Sequence, residues 1–361
     1  MEMTTATRVR AGAAWLAVAT LLAGCSTTLH RSGRDVTDRA PALRLREVGS
    51  FYVGGRETPL TAVQTGIFGP GSTVTDQMYV QYMLPQRRAK GAVVMIHGAG
   101  LSGKSYETTP DGRMGWYEYF ARRGYGSYVV DQVGRARSGF NSAPFNDVRA
   151  GKAPPTSQPN VRRVGSETAM VRFRIKSLDG GKFGDTKFPV EHGAEFAKQQ
   201  VPDLTEGYPP ENPNYAPLSE LARRIGGAVL IGHSQGGRFP FEAALLEPKG
   251  ISAMVALEPG GCKATEYTDQ QISQLARIPI LIVFGDHLAA RQVVGIMWDD
   301  AFRDCQAFVS RVVNAGGAAS LYHPPDHGIH GNSHMIMQDK NNLQIADVII
   351  GWLRKHMRRA P

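Results

Sequence analysis

The chain has 361 residues, 42% of them hydrophobic, which is enough to bury one large core. Its formal charge of +9 sits at the ends: residues 1–48 hold seven Arg against four acids, residues 351–361 add Arg354, Lys355, Arg358 and Arg359, and only +2 remains between. A nucleic-acid surface needs a concentrated basic face on the folded part, so this distribution excludes nucleic acid as a partner.

Arg8 and Arg10 precede an apolar run from Ala11 to Ala23, too short to span a bilayer stably but of export-signal length. It ends in Leu22-Ala23-Gly24-Cys25, which resembles a bacterial lipobox, where the cysteine takes a diacylglycerol and becomes the new N-terminus. Residues 1–25 therefore read as a lipoprotein signal peptide. Residues 26–48, rich in Arg, Asp, Thr and Ser, read as a tether to an exported, lipid-anchored enzyme of the cell envelope. With Cys25 acylated, Cys262 and Cys305 are left as a pair able to form one disulfide in an oxidising compartment. Closing that loop contributes about 4 kcal/mol in the chain-entropy model.

From residue 49 strands and helices alternate. Ser50 to Glu57 and Met78 to Leu84 read as half-buried strands, and Ala92 to Ile96 (AVVMI) as a buried parallel strand running into His97-Gly98-Ala99-Gly100. Trp116 to Arg123 is expected to be helical and Gly126 to Asp131 extended. Helix, strand and helix follow at Leu218 to Ile225, Ala228 to Ile231 and Gly237 to Leu246. The alternation continues through Ile251 to Leu257, Ile272 to Arg277, Pro279 to Phe284, Gln292 to Ala315, Ala319 to Tyr322 and Asn342 to Met357. This is the pattern of an α/β fold with a mostly parallel sheet flanked by helices, a catalytic domain built from residues 49–140 and 218–361. Residues 141–217 carry Pro, Gly, Asn and charge without sustained periodicity, and read as a cap or lid insertion that sets substrate size more than rate.

The chemistry centres on Gly232-His233-Ser234-Gln235-Gly236. A bare Gly-x-Ser-x-Gly match is weak, but here an apolar strand runs straight into it and a helix-compatible stretch follows, the setting of a strained elbow that exposes a serine nucleophile. The N–H of Gln235 and that of Ala99, after the AVVMI strand, are candidate donors to an oxyanion. A general base is expected after the last strand, where His327, His330 and His334 lie. Gly328 and Gly331 break any helix that would present these histidines together to a metal, so none is expected, and His334 is the candidate base. Two carboxylates compete for the acid: Asp286, after the strand ending at Phe284, and Glu258, at the close of the strand before it.

His97-Gly98, Asp131 with Gly134 and Ser138, GHSQGG and the terminal histidine loop together resemble the α/β-hydrolase superfamily over residues 49–357. More narrowly, TTPDGRMGWYEYF (108–120), VALEPGG (255–261) and GNSHMIMQDKNN (331–342) resemble the "novel bacterial esterase" group of secreted Ser-His-Glu enzymes. That resemblance implies hydrolysis of small-molecule carboxylic esters with Ser234 as nucleophile, His334 as base, Glu258 as acid and no cofactor. Two departures stand out: Ala136 replaces the superfamily's second glycine after the fourth strand, and Ala99-Gly100 stand where that group has adjacent cysteines. The motifs do not specify the leaving group. An amidase or lactonase with the same triad stays open, as does a non-catalytic surface-binding lipoprotein.

Overall fold

The computed structural model describes residues 41–87, 89–204, 212–292, 295 and 297–357. The signal peptide, Cys25 and the first part of the tether lie outside the described residues.

One eight-stranded sheet organises the chain: β1 (Leu45–Leu60), β2 (Gly71–Pro85), β3 (Ala92–Ile96), β4 (Gly126–Asp131), β5 (Ala228–His233), β6 (Ile251–Leu257), β7 (Ile280–Val283) and β8 (Ala319–Tyr322). Their spatial order is β1-β2-β4-β3-β5-β6-β7-β8. β1 and β2 pair antiparallel, β2 meets β4 antiparallel, and every later pair is parallel. The apolar runs of the central strands follow from burial on both faces. Successive residues feed two separate cores: Val94, Ile96, Leu230, Met254, Ala256, Ile280 and Ile282 point to one, while Val93, Met95, Val229, Ile231, Val255, Leu257, Leu281 and Val283 point to the other.

Helices cover both faces. The first core is closed by α5 (Tyr215–Arg224), α6 (Phe239–Leu246), α7 (Asp269–Leu275) and α8 (Trp298–Asn314), through Leu218, Phe241, Ile272 and Phe308. The second is closed by α1 (Trp116–Arg122) and α9 (Asn342–His356), through Trp116, Phe120, Ile345 and Ile349. A disulfide joins Cys262 to Cys305 on α8, with the Cα atoms 4.9 Å apart.

Several boundaries differ from the sequence reading, and three of the differences have a clear physical cause. The strand expected at Ser50 to Glu57 starts at Leu45, inside the expected tether, because the hairpin pairs Leu45 with Pro85 and continues to Leu60 with Gly71, well beyond the half-buried part that alternation marks. α8 starts at Trp298 rather than at Gln292, since Gly295 has φ 82° and leaves the helical region. The insertion does not reach 217, because α5 already begins at Tyr215. Among the described residues of 141–214 lie three short α-helices, α2 (Ala143–Arg149), α3 (Ser166–Arg172) and α4 (Gly193–Lys198), together with isolated bridges pairing Arg162 with Asp203 and Lys176 with Lys182.

Candidate active site

Ser234 follows the last residue of β5 and starts a 3-10 turn, Ser234–Arg238, that leads directly into α6. Its φ is 54°, left-handed for a residue with a side chain, a conformation that costs about 1–2 kcal/mol and persists only because the surroundings enforce it. The elbow depends on its glycines: a Cβ on Gly232 would overlap the carbonyl oxygen of Gly236, and one on Gly236 would overlap that of His97.

His334 comes from the loop between β8 and α9 and is fully buried. Its N–H donates to the carbonyl of Phe173 at 2.8 Å, and its own carbonyl accepts from His233 Nε2 at 2.9 Å. Phe173 stacks on the imidazole at 5.3 Å and Trp298 lies at 4.2 Å, both between ring centroids. Behind the loop, Asp339 accepts from the N–H and Oγ of Ser333 and from Nδ2 of Asn332, at 2.8, 2.7 and 2.9 Å. Burial nevertheless pushes its carboxyl up to about 6.

Glu258, also at left-handed φ (51°), follows the last residue of β6 and meets His334 Nδ1 at 3.0 Å through Oε2. Burial alone would raise its pKa, but the charge of Arg174, with the contact to His334, brings it down to about 2. An ionised Glu258 fixes the tautomer: Nδ1 carries the proton and Nε2 the lone pair. That Nε2 is buried and has no hydrogen-bond partner among the described residues. Burial first, then Arg174 and Arg172, hold the imidazole pKa at about 4 against the opposing pull of Glu258, so the ring is neutral at physiological pH.

Asp286 goes elsewhere. Its two oxygens accept the N–H groups of His287 (2.6 Å) and Gly331 (2.9 Å), and His330 lies 3.4 Å away. The three histidines also diverge: His327 stacks on Tyr322 at 4.5 Å, His330 faces Asp286, and His334 alone meets Glu258. Asp185, Asp286 and His287 form the one metal-compatible group among the described residues, but none of them lines the cavity at Ser234.

Two arginines and an aspartate complete the site, all absent from the sequence reading. Arg174, contributed by the insertion, places Nη2 2.6 Å from both oxygens of Glu258 and donates from Nε to the carbonyl of Asp286 at 2.8 Å. Arg135 lies beside Gln235. It donates to Gln235 Oε1 at 2.8 Å and pairs with Asp203 at 2.6 Å. Asp203 also accepts the N–H of Gly100 at 2.9 Å, clipping the insertion to the loop that carries Ala99. His97 braces the same loop: Nδ1 donates to the carbonyl of Gly98 at 2.8 Å and Nε2 accepts the N–H of Gln132 at 3.0 Å. Ala136 has φ 42°, which accounts for the superfamily's preference for glycine there.

Ser234, Gln235, Ala99 and His334 line one cavity of about 850 Å³, walled in part by Phe173, Phe239 and Trp298. That is room for a drug-sized molecule.

No family model matches the chain. A solved structure described as a novel bacterial esterase is 43% identical, with 88% of this chain and 98% of that one covered and a TM-score of 0.84. Among curated proteins, the probable secreted lipase phiG of a fungal species is 26% identical over 388 residues, spanning 93% of this chain and 95% of that protein. With that identity, that coverage and the sheet order above, the chain belongs to the α/β-hydrolase family of the novel bacterial esterase.

Proposed function

We propose that the chain is a carboxylic-ester hydrolase in which Ser234 is the nucleophile, His334 the general base and Glu258 the acid. Nε2 of His334 takes the hydroxyl proton as the serine oxygen attacks the ester carbonyl, and the N–H groups of Gln235 and Ala99 receive the oxyanion. The imidazolium then protonates the leaving alcohol, and water, activated by the same nitrogen, hydrolyses the acyl-enzyme. The observation that carries this reading is His334: one ring nitrogen on an ionised carboxylate, the other buried, without a hydrogen-bond partner among the described residues, on the cavity that Ser234 lines. The test is labelling with a fluorophosphonate beside turnover of a 4-nitrophenyl ester. Both are expected in the wild type and lost in Ser234→Ala; equal labelling of the variant would remove Ser234 as nucleophile.

We also propose export and acylation at Cys25; the Leu22-Ala23-Gly24-Cys25 run supports both, and a curated relative described as a probable secreted lipase supports export. Labelled palmitate fed to a bacterial host should mark the wild type and not Cys25→Ser.

A further inference from the structure

The two N–H groups assigned to the oxyanion sit on separate elements. Gln235 belongs to the turn after β5, and Ala99 to the loop after β3. Such donors stabilise a developing charge only when they are held in place before the reaction. Ala99 cannot hold itself: its side chain is a methyl group, it is exposed between two buried glycines, and its N–H makes no hydrogen bond among the described residues.

Neighbouring groups hold it instead. In a planar trans peptide the carbonyl and the N–H point in opposite directions, so fixing the Gly98 carbonyl aims the Ala99 N–H. That carbonyl accepts from His97 Nδ1 at 2.8 Å and from Arg135 Nη1 at 3.3 Å. The next peptide is held by its N–H, which Gly100 donates to Asp203 Oδ2 at 2.9 Å. Beyond it the Gly100 carbonyl accepts the N–H of Val201 at 2.8 Å. A Cβ on Gly98 would come 2.8 Å from the Cβ of Ser234, so this backbone lies directly against the nucleophile.

Arg135 and Asp203 are themselves joined at 2.6 Å, with side chains 0% and 7% exposed. The same guanidinium donates to Gln235 Oε1 at 2.8 Å, so one side chain reaches both elements that carry the oxyanion donors. Burying such a pair adds little net stability, because desolvation offsets its attraction. Resting on the ester-hydrolase reading, we propose that Arg135 and Asp203 are positioning residues: they set the Gly98–Ala99 peptide and the Gln235 turn in one arrangement and act on kcat through the oxyanion donors.

The test uses the full-length enzyme. Arg135→Met/Asp203→Asn removes both charges together, so no ion is left buried alone and melting close to that of the wild type is expected. With 4-nitrophenyl acetate, kcat should fall about 10²-fold while KM stays within about threefold, the pattern of a donor misplaced by about 1 Å. Affinity for a trifluoromethyl ketone, whose adduct with Ser234 carries the same oxyanion, should fall by a similar factor. Asp203→Asn alone keeps the side-chain size and an acceptor for Gly100, and should show both losses at about tenfold; it decides the matter if the double variant does not fold. Unchanged kcat in the folded variants, or a loss of kcat without a matching loss of ketone affinity, overturns the positioning role and leaves the esterase reading standing. A wild type that neither cleaves the ester nor reacts with a fluorophosphonate overturns that reading, and this role with it.

Discussion

Arg174→Met tests how the acid is seated. In the native site the guanidinium donates to both oxygens of Glu258 and to the carbonyl of Asp286, with arginine and glutamate each 0% exposed. Removing one member of such a pair leaves a buried charge without its counter-ion, which costs about 3–5 kcal/mol. Methionine keeps much of the side-chain volume, so cavity formation adds little. The effect on pH follows in sign. His334 must be neutral to accept the serine proton, and its pKa is held at about 4 by burial, with Arg174 the first of the neighbouring charges to push it down. Losing that charge lets the pKa rise, so the acid limb of kcat/KM moves to higher pH. Arg174→Lys keeps the charge but not the fork, and should leave the limb near its native position with a smaller loss of stability. Thermal melting and pH–rate profiles of both variants give the readouts. An acid limb in a folded Arg174→Met enzyme that coincides with the wild type would refute the electrostatic argument.

Glu258→Gln should lower turnover by about 10⁴-fold, by analogy with amide replacement of a serine-protease acid, whereas Asp286→Asn should disturb only the loop at Gly331; near-normal turnover in the first with a large loss in the second would transfer the role. Acidification should destabilise the fold: His97 and His334 fall from 6.5 to about 4 chiefly through burial, so each contributes stability on the order of 3 kcal/mol that is present above pH 6.5 and lost as the pH falls towards 4. Asp339, raised from 3.8 to about 6 by burial, acts with the opposite sign, and melting between pH 4 and 8 should show the histidines prevailing. Replacing Cys262 and Cys305 by serine should lower unfolding stability by about 4 kcal/mol, the entropy of closing a loop of 43 residues, measured by urea denaturation.

The parts of the fold legible in the sequence are those where burial acts on both faces of a strand. β3, β4 and β6 fall at Ala92–Ile96, Gly126–Asp131 and Ile251–Leu257, as the apolar runs and the turn residues around them indicate. The outer half of the β1–β2 hairpin is exposed, so backbone pairing rather than a hydrophobic period defines it, and periodicity alone stops short. The N-terminal end of α8 departs from the sequence pattern for a related reason: helical spacing runs through Gln292, but Gly295 adopts a backbone conformation that no pattern of apolar residues reports.

The site divides along the same physical line. Ser234 and Glu258 each follow the last residue of a parallel strand and His334 lies in the loop after β8, so strand boundaries place all three beyond the C-terminal edge of the sheet. Arg174 is 84 residues from Glu258 and Arg135 is 100 from Gln235, on stretches with no repeating period, and only the tertiary fold brings them together. A signal for them existed in principle. An acid at the end of an apolar strand must find a counter-charge, and a neutral imidazole with a pKa of about 4 cannot supply it alone. The cation had to come from outside the catalytic framework, and the insertion was the one long segment left to provide it. This changes what the insertion does. It carries Arg174 on Glu258, Phe173 on His334 and Asp203 on the N–H of Gly100, so the expectation that it sets substrate size more than rate does not follow from the geometry. Exchanging the whole segment would perturb turnover and specificity together.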